Sequence, residues 1–364
     1  MPKNIIICFD GTCNHPNDAK QEREWFGSGE IEDNGITNVL KLHVLFGGDL
    51  SNSHSSEEQH CFYYSGVGTY GNKIQQIFNA AFAPNNLDVR RIVKTAGEDI
   101  NGNYKTGDNI FIFGFSRGAA IARRFASIIN KYIPVGPNLK FPVRFLAVFD
   151  TVASIGFPNL DDDQKPVSDV VFENGVISKY VQEALHLVSL DEKRIAFQPT
   201  LMNKDKRVSE IWFPGAHADV GGGFWYDGLS DISLEFMIEE LKKRKLGLNI
   251  LEADKVNYNN LKSPNEDYKI DLDDVFIKPN HRGKAHPKDR WGPFAKATLS
   301  ARDVRVDTNS PDAKRKPFIH HSVVNRITDV IEYRPKALKG VDHTVIYPEN
   351  KQNDYKGIVD HIAI

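Results

Sequence analysis

A serine, an aspartate and a histidine each follow an apolar run in this chain. Their order is the one that acyl-transfer chemistry uses in one hydrolase architecture. The run Ile110-Phe111-Ile112-Phe113 leads into Gly114-Phe115-Ser116-Arg117-Gly118, after which Ile121, Ala122, Phe125, Ile128 and Ile129 recur at helical spacing. This predicts a strand, a sharp turn and a helix, with Ser116 at the turn. Small residues must flank such a serine because its backbone is strained and the helix and strand approach closely. The hydroxyl would then stand above the carboxyl end of a sheet. It would sit at a helix N-terminus, whose N–H groups attract developing negative charge. Val143 to Phe149 predicts the next strand, and Asp150 ends it. A carboxylate there can reach a histidine beside the serine, or it can cap the following helix. Val208 to Phe213 predicts a further strand, read as the last of the core, and His217 follows it in a loop with Asp219, Gly221, Gly222 and Gly223. That is the place of the general base, and His320, beside His321, is the rival.

A second strand-end loop, Asp10-Gly11-Thr12-Cys13-Asn14, follows the apolar run Asn4 to Phe9. Gly11 and Thr12 could supply a backbone N–H that joins that of Arg117 in holding an oxyanion, with Asp10 in a supporting role. The same loop resembles the Asp-x-Asp-Gly-Thr start of haloacid-dehalogenase-type phosphatases. Cys8 stands where their nucleophilic aspartate would be, and a thiol in an apolar strand cannot accept a phosphoryl group as a carboxylate does. His217 and Asp219 could share a metal, but two ligands without a further cluster make no site, and none is expected. The glycines of Gly66 to Gly71 lack the spacing and the following Lys-Ser/Thr of a phosphate cradle.

Those residues need a large, well-packed frame. At 364 residues, 26% charged and 40% hydrophobic, the chain has the composition of an ordinary soluble protein able to bury a sizeable core. A net charge of -2 gives no reason to expect nucleic acid as a partner. Three cysteines make no disulfide framework, so reduced thiols are expected. The first apolar run is too short for a signal peptide and no run spans a membrane, so the protein is expected to be cytoplasmic as synthesised.

Further strands are predicted at Cys61 to Tyr64, and helices from Val39 to Leu45, Ile74 to Ala81, Leu87 to Ile100, Glu183 to Leu190 and Ile232 to Leu246. Together these predict an α/β fold with a mostly parallel central sheet and helices on both faces. Residues 158–175 and 251–317 are irregular and rich in Pro, Asn and Asp, and predict cap or surface insertions within one domain.

The segments Phe9-Asp10-Gly11-Thr12, Gly114-Phe115-Ser116-Arg117-Gly118-Ala119, Asp150-Thr151-Val152 and Phe213 to Gly223 closely resemble the domain-of-unknown-function 2235 family. The resemblance spans residues 4 to 335 and takes in Ser322-Val323 and Arg326. That family includes phospholipase effectors of bacterial type VI secretion. The resemblance implies an α/β-hydrolase fold with Ser116 as nucleophile, Asp150 as acid and His217 as base. It implies a glycerophospholipid substrate, transient contact with a membrane surface, export without a signal peptide, and no cofactor. Two other readings stand beside it: an esterase or thioesterase for small soluble acyl compounds, and an idle domain that binds a partner through the same cleft.

Overall fold

The computed structural model describes residues 2–11, 33–53, 56, 58–66, 86–136, 141–152, 176–262, 269–287, 298–307 and 315–362. The sheet is built from β1 (Asn4–Phe9), β2 (Gln59–Tyr64), β3 (Asn109–Phe115), β4 (Val143–Phe149), β5 (Val181–Ser189), β6 (Val208–Phe213), β7 (Phe318–His320), β8 (Asp342–Ile346) and β9 (Gln352–Lys356). Its spatial order is β2-β1-β3-β4-β5-β6-β7-β8-β9. Every pairing is parallel except β8 with β9. From β1 the chain steps one way to β2 and then returns to lay β3 on the other side. The crevice beyond the carboxyl ends of β1 and β3 is therefore a topological switch point, where such sheets place their ligands. Both the Asp10-Gly11 loop and Ser116 emerge there.

Helices α1 (Asn38–Leu45), α2 (Asn86–Asn103), α3 (Ser116–Ile128), α4 (His217–Gly221), α5 (Gly228–Lys243) and α6 (His321–Asp329) complete the frame. Alternation along the strands divides the core. Ile6, Cys8, Phe111 and Phe113 pack with α1 and α5, whereas Ile5, Ile7, Phe9 and Ile112 pack with α2 and α3. Each fully buried Phe or Ile contributes about 1.5–3 kcal/mol, so these two faces hold the helices more firmly than propensity does. Thr37 caps α1, its hydroxyl accepting from Leu40 N. Lys41, itself buried, ties α1 to the start of α5 through Asp227 and Asp231. At the far edge, β9 is polar and antiparallel (Gln-Asn-Asp-Tyr-Lys), a sequence that discourages further pairing. No helix among the described residues is long and apolar enough to cross a membrane.

Two expectations need correction. Glu183 to Leu190 is not a helix but most of β5, paired on both sides. Ala184, Leu185, Leu187 and Val188 suit both periods, and burial on both sheet faces decides for the strand. Nor is β6 the last strand, since the sheet continues through β7, β8 and β9. Residues 158–175 and Ile74 to Ala81 lie outside the described residues. Of 251–317, the described parts include Leu261, Ile270 and Val275, which are buried in the core cluster beside α1 and α5. These three side chains are thus packed against the body.

Candidate active site

The turn at Ser116 shows why its neighbours are small. Ser116 has φ +57°, a left-handed value strained for any residue with a Cβ. A Cβ on Gly114 would lie 2.7 Å from Ala119 Cα, and one on Gly118 would lie 2.2 Å from the Asp10 carbonyl oxygen and 2.3 Å from that of Phe9. These are backbone atoms of α3, of the end of β1 and of the residue after it, which cannot swing away. Gly118→Ala is accordingly expected to destabilise the protein by about 3 kcal/mol or more in urea unfolding. Gly102→Ala, on α2 with open space around it, should instead stabilise by about 0.5–1 kcal/mol. Equal midpoints for the two variants would refute this account of the turn.

His217 is the first residue of α4, and its ring bridges the other two groups. Nε2 lies 2.8 Å from Ser116 Oγ, and Nδ1 lies 2.5 Å from Asp150 Oδ2. A carboxylate can only accept, so Nδ1 carries the proton and Nε2 accepts the serine O–H. The imidazole stacks on Phe115 at 4.7 Å and meets the edge of Phe197 at 5.0 Å, which fixes its plane. Burial pushes the His217 pKa below the ordinary value and outweighs the opposing pull of Asp150 and Glu192. The ring is therefore held as a neutral base.

Asp150 is fully buried, with φ +39°. Its Oδ1 accepts from Ser189 N at 2.9 Å and Arg302 Nη1 at 2.5 Å. Its Oδ2 accepts from Arg302 Nη2 at 2.9 Å and Ser189 Oγ at 3.3 Å besides His217. Burial pushes the carboxyl up, but Arg302 and His217 together overcome it and hold it well below the usual carboxylate range. The turn after Asp150 is pinned by His186, whose Nε2 accepts from Thr151 N at 3.0 Å while Nδ1 faces Glu210 at 2.8 Å. A serine hydroxyl, an imidazole and a carboxylate so linked can generate a nucleophile.

The other predicted site residues fall differently. Asp10 is buried, accepting from Thr37 Oγ1, Tyr63 OH and the Gly11 N–H, each at 2.6 Å. The Gly11 amide is thus turned onto its neighbour's carboxylate rather than toward an oxyanion, a correction caused by the acceptor lying one residue away. Thr12 lies outside the described residues. The Arg117 amide belongs to the first turn of α3, directly after Ser116. Asp219 accepts from Ala216 N at 2.8 Å and faces His286 Nδ1 at 2.6 Å, so it fixes the start of α4 instead of touching Ser116. His320 caps α6 through Ser322 and stacks on Phe213 at 4.4 Å. Its bonds and ring contacts run to Ser322, Phe213, Phe236 and His321, away from Ser116. No group of three or more His, Cys, Asp or Glu poised for a metal occurs among the described residues. A cavity of about 810 Å³ lies between α5 and the β7–β8 edge, lined by Phe236, His320 and Tyr347. Ser116, Asp150 and His217 take no part in it, so its size says nothing about their chemistry.

Reasoning from sequence missed Arg302, Glu192 and Arg194. Arg302 comes from the irregular stretch, carried in by Leu299 bridging to Arg194 and by Ser300 N donating to Lys193 O at 2.7 Å. Glu192 accepts from His217 N at 3.3 Å, and Arg194 grips it with Nε and Nη2 at 2.8 Å. No local pattern marks these residues; only the order Ser, Asp, His is visible along the chain.

Three comparisons place the chain among known proteins. An uncharacterized protein of Saccharomyces cerevisiae is 30% identical over 241 residues, covering 54% of this chain and 32% of its own. An uncharacterized protein from Pseudomonas aeruginosa has a similar structure with TM-score 0.44 and 20% identity, covering 79% of this chain and 51% of that one. The Tle1 effector, solved bound to the VgrG spike of the type VI secretion system, gives TM-score 0.38 and 24% identity, covering 62% and 51%. The chain thus spans about a third of the yeast relative and about half of the two solved chains. The model of the type VI secretion phospholipase effector Tle1-like catalytic domain matches residues 3–133 and 135–240, more than half of the chain and every residue from Ser116 to His217 but one. The chain belongs to the Tle1-like phospholipase effector family.

Proposed function

We propose that this protein is a serine hydrolase that cleaves the acyl esters of glycerophospholipids through an acyl-enzyme. The observation that carries this reading is the unbroken link from Ser116 Oγ through His217 to Asp150, at 2.8 and 2.5 Å. His217 Nε2 takes the proton as Ser116 Oγ attacks the ester carbonyl. The tetrahedral oxyanion forms against the Arg117 amide and the positive end of α3. His217 then returns the proton to the leaving alcohol, and water repeats the sequence to release the fatty acid. Asp150 keeps Nδ1 protonated and stabilises the imidazolium. Phospholipid as substrate rests on the family, and a single α/β-hydrolase domain is the architecture we assign. Export as an effector belongs to the same reading.

Fluorophosphonate labelling of purified protein tests the mechanism, and a panel of phospholipids and short soluble esters tests the substrate. Ser116 should label, and His217→Ala should slow labelling by about a thousandfold, the scale of a lost general base. His320→Ala should leave labelling within about tenfold of wild type and lower the melting temperature, since it removes a packed ring. Near-wild-type labelling of His217→Ala would refute the base assignment. Preference for short soluble esters over phospholipid would move the reading to a small-molecule esterase, and no labelling at all would leave a binding domain.

A further inference from the structure

We propose that Arg302 and Arg194 are positioning residues that keep His217 in its base form, by compensating the two carboxylates bonded to it, one at the ring and one at the backbone N–H. This rests on the serine-hydrolase reading above. The charged groups against His217, among the described residues, come from two elements besides its own. Asp150 at the end of β4 bonds Nδ1, and Glu192, in the loop after β5, accepts from the His217 backbone N–H. Each carboxylate has its own guanidinium. Arg302 forks onto Asp150 with Nη1 and Nη2 at 2.5 and 2.9 Å; Arg194 forks onto Glu192 with Nε and Nη2, both at 2.8 Å. The Arg194 guanidinium also lies over Phe197, 3.5 Å from the ring centroid, on the ring that meets the imidazole edge-on.

Two unpaired carboxylates would favour the imidazolium and would hold His217 protonated well into the neutral range, where it could not take a proton from Ser116. Two paired ones contribute little net charge while still supplying the acceptor that orients Nδ1. Arg302 adds a mechanical role. Its Nη1 also donates to Ser189 O at 2.7 Å and its Nη2 to Phe197 O at 2.6 Å. One buried guanidinium thus ties together the turn that holds Asp150, the end of β5 and the backbone of Phe197, whose ring lies beside His217. A residue that merely filled space would need none of these directed bonds.

The test is the rate of fluorophosphonate labelling at Ser116 as a function of pH, in the full chain. Arg302→Gln removes the charge, so Asp150 pulls harder on the imidazolium. The acid limb should then move up by about one pH unit, with the plateau falling by no more than about a hundredfold. Arg302→Lys keeps the charge and loses the fork; its limb should stay at the wild-type pH while its plateau falls. A solely structural role would lower all rates without moving the limb. Should Arg302→Gln fail to fold, Arg194→Gln, at the partly exposed member of the two, carries the same expectation of an upward shift. An unmoved or downward-moving limb in the folded variant overturns the proposal while leaving the hydrolase intact. A wild-type protein that never labels overturns the hydrolase reading itself, and this inference with it.

Discussion

Ser116→Ala is expected to lower ester turnover by about four to six orders of magnitude, because a nucleophile and its base act as a unit and the loss of one idles the other. The fold should survive. Alanine keeps the same left-handed strain at this position, and the one bond lost, from Oγ to His217, contributes about 1 kcal/mol net. Turnover of phospholipid vesicles by contaminant-free protein, read beside a thermal melt, checks both halves. Turnover within tenfold of wild type would end the serine-hydrolase reading. A collapsed melt would instead mean that the hydroxyl is part of the fold's support.

Such a variant could be designed from sequence because everything that places Ser116 is local. An apolar strand, two glycines and a helical repeat lie within twenty residues, and each part constrains the others. Asp150 and His217 were legible for a related reason: Asp150 directly follows β4 and His217 comes four residues after β6, and parallel strands bring their carboxyl ends to one edge of the sheet. Legibility failed where the cause was tertiary. Ala184 to Val188 has an apolar pattern that fits either period, and only the neighbours β4 and β6 make it a strand. Gly11 offered an amide to the site, but whether it points there depends on the Asp10 carboxylate, held by Thr37 and Tyr63 from far along the chain. Arg302 is the extreme case. It sits 152 residues from the carboxylate it pairs with, in a stretch without period or motif, and is one of 46 basic side chains.

Asp150→Asn should be costly in two separable ways, and Arg302 is the reason. In a triad whose acid is not so paired, an asparagine leaves the geometry in place and lowers turnover by about 10⁴-fold through the wrong tautomer. Here that loss is expected together with a loss of stability. The carboxylate meets donors on both oxygens: Ser189 N and Arg302 Nη1 on Oδ1, and His217 Nδ1, Ser189 Oγ and Arg302 Nη2 on Oδ2. Whichever way an amide is turned, its NH2 faces an N–H of Arg302. The guanidinium, buried and only 2% exposed, is left without its counter-charge. Breaking a buried pair from one side costs about 3–5 kcal/mol, so the urea midpoint of Asp150→Asn should fall clearly below that of Ser116→Ala. Removing the other partner as well, in Asp150→Asn combined with Arg302→Met, should recover part of that stability, since no charge then remains unpaired. It should recover none of the activity, because His217 still lacks the carboxylate that fixes its tautomer and stabilises its imidazolium. An Asp150→Asn protein as stable as wild type would show that the Arg302 charge finds compensation elsewhere, and stability regained together with turnover would show that Asp150 orients nothing.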